Sequence, residues 1–154
     1  MGVCYDVGGF PNTLELIRLG RTEGVLVASS ELPPELRDFN RSDQEKDISF
    51  VINEPRSVYR ERMEEYLHAK NILLRNTIEL WSIEAIKKSV AANLGISFLP
   101  RFAVKQELHE EVLIEIPIDM PQNTVTAICV HHRNREPGSA MLFFRKLLAE
   151  FRMD

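Results

Sequence analysis

The sequence is short of most features that announce a function. None of its 154 residues fall in an apolar run approaching the roughly 18–20 residues of a membrane span. The start "MGVCYDVGGF" has no basic region followed by an apolar stretch, so no secretory signal is read there. A Met-Gly opening invites myristoylation, but that signal needs Ser or Thr where Asp6 stands. Positive charge is not in excess. Lys and Arg number 19 against 23 Asp and Glu, a net charge of −4. The chain alone therefore lacks the composition of a nucleic-acid binder, which neutralises phosphates with a concentrated basic face. A local basic pocket stays open.

Catalytic signatures are missing as well. There is no Gly-x-Ser-x-Gly, no phosphate loop and no dinucleotide fingerprint; Gly8-Gly9 does not make one. The acid pairs Glu64-Glu65 and Glu110-Glu111 are adjacent on helical patterns and splay apart, which does not suit paired-carboxylate chemistry. "HHRNR", His131 to Arg135, is a poor metal site, since adjacent strand residues point to opposite faces and no Cys or acid has ligand spacing. It reads as a polar strand end and solvated loop. No enzyme activity, metal or cofactor is expected. The two cysteines, Cys4 and Cys129, suit free thiols of a reducing cytosol or one disulfide; both lie in apolar strands and read as buried and inert.

What is present is alternation. "GVCYDV" (2–7) and "GVLVAS" (24–29) read as strands, while "TLELIRL" (13–19) fits helix or strand. Residues 30–47, with paired prolines and many charges, read as a surface connection. Then "ISFVI" (48–52), "ILLRNTIEL" (72–80), "ISFLP" (96–100), "LIEIPI" (113–118) and "VTAICVHH" (125–132) read as strands. Helices are expected over 58–70, with Val58, Met63, Tyr66 and Leu67 on one stripe, and over 82–93, with Ile83, Ile86, Val90 and Leu94. Further helices are expected over 102–112 and 139–151. Strand-helix-strand order with short links implies parallel pairing and an α/β sheet covered by helices. The charge runs "EKD" and "ELHEE" read as solvated faces, and His68 and His109 as exposed.

The corner "SIEAIKKSVAANLGISFLP" (82–100) is explained locally. Ser82 is placed to cap a helix, Glu84 suits its positive end, and Asn93 tolerates a left-handed cap. Gly95 lets the chain reverse, and Pro100 ends the strand.

The ordered series from "ELWSIEAIKKSVAANLGISFLPRFAVKQEL" through "VLIEIPI" (79–118) resembles the effector-binding domain of LysR-type transcriptional regulators. That family shows Ser before an amphipathic helix, then Val-x-x-Gly-x-Gly-Ile and Pro; Asn93 stands for the first glycine. "GVLVASS", "ISFVINEPRSVYRERMEEYL" and "VTAICVHHRNREPGSAMLFFRKLL" extend the likeness over most of residues 2–151. The resemblance implies an α/β, periplasmic-binding-protein-like (type 2) fold. Residues 30–120 would form one complete subdomain, and 1–29 with 121–154 part of another. The family's DNA-binding winged helix-turn-helix is not matched in this sequence, which implies a fragment of a longer regulator.

Function follows as an expectation from that resemblance. A small-molecule effector, anionic in character, would bind between subdomains of a cytoplasmic homodimer or higher oligomer, with DNA reached only through the missing domain. The loop "NEPRSVYR" offers Arg56 and Ser57, Ser57 being read as a helix cap; Trp81 and Ser82 form the second candidate pair. Both stand where a strand's carboxyl end meets a helix start, the usual ligand position of open α/β sheets and a natural place for an anion. The plainer alternative to these readings is Ser57 as only a cap, Arg56 as a solvated charge and Trp81 as packing. A solute-binding protein of a transport system and a small α/β enzyme using Cys4 or the histidine pair are the alternatives. Arg101 also lies near a strand end.

Overall fold

The computed structural model describes residues 1–134 and 138–150. Two compact units emerge: Met1–Thr22 with Thr124–Asp154, and Glu23–Asn123. Strand β2 (Leu14–Ser29) runs from the first unit into the second. The ambiguous segment 13–19 is thus strand, the opening half of one 16-residue element.

In the second unit the chain runs through a single 3-10 turn (Pro34–Leu36) into β3 (Gln44–Ile52), α1 (Val58–Ala69), β4 (Ile72–Glu79), α2 (Ile83–Ala91), β5 (Ser97–Pro100), α3 (Arg101–His109) and β6 (Leu113–Ile116). β3 and β4 pair in parallel, with a register shift between Lys46 and Ser49. Ile96, at the mouth of β5, bridges Phe50 of β3 in parallel. β5 and β6 then pair with opposite sides of β2, both antiparallel. The sheet is therefore mixed. The local strand-helix links account for the parallel pairs, whereas β2 arrives from the other unit in the opposite sense.

Alternation along the strands sorts the helices onto two faces. Val25, Val27, Val51, Leu99 and Leu113 meet Ile86 and Val90 of α2 and Val104 of α3 on one face. Phe98, one residue before Leu99, points the other way and lies 6.1 Å from the Tyr59 ring of α1. Val58, Met63, Tyr66 and Leu67 are buried as their spacing predicts. In α2 only Ile86 and Val90 are fully buried. Ile83 and Leu94, at or beyond the helix ends, stay exposed.

Helices α1, α2 and α3 each stop on a left-handed residue: Asn71, Asn93 and Glu111. After α2 the Leu94 N–H reaches Ser89 O at 3.1 Å, and after α3 Val112 N–H reaches Glu107 O at 3.0 Å, closing the last turns. Gly95 is needed less for reversal than for space, since a Cβ there would sit 2.3 Å from Ser49 O. Gly24 is similar: its Cβ would fall 2.3 Å from the Phe98 ring.

The "EKD" run is not wholly solvated. Lys46 is buried in β3, its Nζ 3.3 Å from Leu36 O and 4.8 Å from the Phe39 ring centroid, and burial lowers its pKa. Asn40 stitches the same region. Its Oδ1 accepts from Tyr66 O–H at 3.1 Å and from the Asp119 N–H, and its Nδ2 donates to Pro117 O.

The first unit holds β1 (Gly2–Tyr5) paired antiparallel with β7 (Thr124–His132), β7 standing between β1 and β2, and α4 (Ser139–Glu150). Cys129 is buried, and burial raises its thiol pKa; Cys4, on the end strand β1, is exposed rather than buried as its apolar surroundings suggest. Both are free thiols, and neighbouring positions along a strand turn them to opposite faces: Cys4 pairs with Ile128, not Cys129. His131 also departs from expectation: it is buried, its Nε2 3.3 Å from Glu15 Oε2, while His132 is exposed. Arg135 and Phe151 of the sequence reading lie outside the described residues.

Candidate functional site at two helix starts

β3 and β4 run in parallel with Ile52 opposite Glu79, so their carboxyl ends lie side by side. The Leu80 N–H donates to Ile52 O at 2.8 Å, extending the pairing to the first residue beyond β4. The loop 53–57 and the turn 80–82 therefore leave from one edge of the sheet. α1 then packs on one face and α2 on the other. Arg56, Ser57, Trp81 and Ser82 are thereby placed at a common edge. Pro100 and Arg101, where β5 meets α3, stand at that edge too.

Ser57 occupies the position before α1, yet its side chain makes no capping hydrogen bond. Its hydroxyl instead accepts from Asn53 Nδ2 at 2.9 Å. The expected cap is thus diverted to a tertiary partner, and α1 begins without side-chain capping, leaving its first backbone N–H groups to other partners. Ser82 behaves as expected: its Oγ accepts from Ala85 N–H at 3.4 Å.

Arg56 is the unusual residue. The Ser57 N–H to Glu54 O contact, 3.3 Å, closes a turn through Pro55 and Arg56, and Arg56 takes φ 75°. That left-handed position favours Gly or Asn; a β-carbon there costs about 1 kcal/mol. Of the five non-glycine residues with positive φ among those described, three end helices and Asp43 is a tolerant type. Arg56 fits neither explanation. Its side chain is exposed, as are Trp81, 78% exposed, and Ser82. Trp81 therefore does not serve as packing.

Other cations at this end are engaged. Arg60 donates from Nε to Glu64 Oε1 at 2.9 Å and from Nη1 to Glu79 Oε2 at 3.0 Å; the Glu64 bond, then the Glu79 bond, raise its pKa. Arg101 forms a two-pronged pair with Glu115 at 2.9 and 2.7 Å and reaches Glu23 at 3.2 Å. Lys87 joins α2 to α3 through Glu107 at 2.7 Å and also meets Glu84 at 2.7 Å; burial opposes its charge, but these bonds raise its pKa overall. Sequence reasoning missed Arg60, Asn53 and Glu79. An Arg at the third helical position, with an acid four residues on, reads simply as a surface pair.

A separate hollow of about 580 Å³ runs along α3 and β6 past Ser30, Arg101, Glu111 and Glu115, and none of the four candidate residues lines it. No cluster of three metal-ligating side chains occurs among the described residues. Nor is any described helix long and apolar enough to cross a membrane.

Comparison with known proteins gives this architecture a family. The LysR substrate binding domain matches residues 1–152. An uncharacterized HTH-type transcriptional regulator, YfiE of Escherichia coli K12, is 43% identical over 150 residues, 97% of this chain and 50% of the relative. This chain thus spans about half the length of that regulator. Among solved structures, the Synechocystis PCC6803 CcmR regulatory domain in complex with 2-PG is 21% identical with a TM-score of 0.74, covering 97% of this chain and 72% of that one. The bromide-bound regulatory domain of HypT from Salmonella typhimurium is 18% identical with a TM-score of 0.77, covering 96% and 71%. These relatives are regulators rather than enzymes, and the shared fold is periplasmic-binding-protein-like. The mixed sheet, with helix starts gathered at one edge, is accordingly that of the LysR substrate-binding domain family, to which this chain belongs.

Proposed function

We propose that the chain is the effector-sensing part of a cytoplasmic LysR-type transcriptional regulator, and that it takes a small anionic metabolite at the edge carrying Arg56, Ser57, Trp81 and Ser82. Residues 30–120 act as the second effector subdomain, and residues 1–29 with 121–154 as part of the first. The assembly is a homodimer or higher oligomer, and DNA is engaged by parts of a longer protein outside this sequence.

The observation that carries this reading is Arg56, held at φ 75° in the loop that leads into α1, from the end of the sheet where β4 also hands over to α2. A strained residue persists where something other than stability retains it. Here it presents a guanidinium beside the uncapped start of α1, where backbone N–H groups and the helix dipole favour negative charge. Ser82 Oγ, already accepting one bond, still has its own proton to donate. Exposed Trp81 offers a flat apolar wall for the rest of the ligand. An effector switches the regulator only insofar as it binds one arrangement of the protein more tightly than another. The 2-PG and bromide carried by two structural relatives make suitable first probes.

The test is a pair of substitutions at one position. Arg56→Gly should raise stability by about 0.5–1 kcal/mol, by relieving the left-handed strain, while weakening anion binding at least tenfold. Both are read by thermal shift across bromide, 2-PG and a panel of small carboxylates. Arg56→Lys keeps charge and strain and should retain part of the affinity. A glycine variant that binds every retained anion as well as the parent would end the assignment.

A further inference from the structure

The structure assigns Arg60 a role that its place on α1 conceals: we infer that it is the positioning residue that locks the loop 53–57 to the end of β4, so that the two candidate ligand loops move as one. The inference rests on the reading of the site given above, and the geometry behind it is independent of any ligand.

One nitrogen of Arg60 does the joining. Nη1 donates to Asn53 O at 3.3 Å and to Glu79 Oε2 at 3.0 Å. Asn53 opens the loop after β3, and Glu79 is the last residue of β4, directly before Leu80, Trp81 and Ser82. Asn53 in turn donates from Nδ2 to Ser57 Oγ at 2.9 Å. A continuous chain of contacts thus runs Glu79–Arg60–Asn53–Ser57. Nε of the same guanidinium is fixed by Glu64 at 2.9 Å, one helical turn along α1. The Arg60 side chain is 20% exposed and Glu79 is 38% exposed, so the contact is partly shielded from water.

The planar fork of an arginine suits this task. It serves acceptors in different directions at once, where a lysine ammonium on a flexible stem would hold fewer of them in fixed geometry. The consequence is specific. Ser57 is kept off the α1 start because Asn53 holds its hydroxyl, and Asn53 is kept in place by Arg60. Removing Arg60 frees the loop and uncouples it from residues 80–82.

The test uses the whole chain with three substitutions: Arg60→Gln, Arg60→Lys and Glu79→Gln. Backbone amide shifts and hydrogen exchange are followed at Glu54, at 56–59 and at 80–82, with Val104 and Leu113 as internal controls. Arg60→Gln should speed exchange about tenfold at both loops while the controls hold. Glu79→Gln, which leaves α1 untouched, should reproduce the pattern more weakly, roughly two- to fivefold. Arg60→Lys should restore part of the protection. Affinity for whichever of bromide and 2-PG binds the parent should fall in the same order. Disturbance confined to α1, or to 54–59 without 80–82, in the glutamine variants overturns the inference. Should Arg60→Gln fail to fold, Glu79→Gln decides alone. If neither probe binds the parent, the anion reading of the site is damaged, and the exchange measurements still decide whether Arg60 couples the loops.

Discussion

Gly95→Ala offers the most direct check on how the second unit is held together. The added Cβ would lie 2.3 Å from Ser49 O and 3.0 Å from both Ser49 C and Val51 Cγ2. Backbone atoms of a buried strand cannot swing aside as a flexible side chain does. Relief must come from parting the corner at Asn93–Gly95 from β3. The hydrogen bonds at stake are Ile96 N–H to Ser49 O, 2.9 Å, and Val51 N–H to Ile96 O, 2.8 Å. Overpacking costs about 1–3 kcal/mol, and each weakened backbone bond adds about 0.5–1.5 kcal/mol. We expect a loss of about 2–4 kcal/mol, which in a unit of roughly 100 residues lowers Tm by about 10–20 °C. Urea denaturation followed by far-UV circular dichroism is the suitable assay, because Trp81 is 78% exposed and its fluorescence changes little on unfolding. The midpoint should fall with an unchanged slope. Gly2→Ala, where a Cβ would make only an ordinary contact 3.9 Å from Val130 Cγ2, is the control and should stay within about 0.5 kcal/mol. A Gly95→Ala protein within about 0.5 kcal/mol of the parent would refute the close-approach argument.

Three further outcomes are expected. Ser82→Ala removes a real but long cap and should cost about 0.5–1 kcal/mol in unfolding free energy from urea denaturation, and Ser57→Ala, whose hydroxyl caps nothing but accepts from Asn53, should cost about 0.5–1.5 kcal/mol through the lost loop bond. Asn40→Ala breaks the bonds to Tyr66, Pro117 and Asp119 and should cost about 1–3 kcal/mol by the same measurement. Burial holds Lys46 below its ordinary pKa of 10.5, so the unfolded chain binds more protons between the lowered value and 10.5. Stability should therefore rise as pH climbs through that window, and Lys46→Met should flatten the rise when urea midpoints are compared across pH.

The parts of the fold that could be read from sequence are those whose physics is local. The α2 corner is the clearest: Ser82, Asn93 and Pro100 act within a few residues of themselves, and each does what its chemistry suggests. The stripe on α1 is equally local, a matter of helical spacing. What escaped depends on partners remote in sequence. Ser57 is diverted by Asn53, which is in turn held by Arg60. Lys46 lies under a segment folded back from residues 36–39, which no charge pattern announces. His131 is covered where its neighbour His132 is not, a choice of face that the repeated residue type could not reveal. Even the expectation of parallel pairing held only where strand and helix follow one another directly. β2, entering from the first unit, set the antiparallel ladders.

The bare backbone at Gly24, with the Phe98 ring lying over it, has an evolutionary reading. Any side chain at position 24 must displace that ring, and any smaller residue at 98 would leave a void over position 24. Neither site is free to drift alone. Among diverging descendants the two positions should change together or not at all, so an inherited pair of substitutions there would record this contact in sequences whose structures have never been seen.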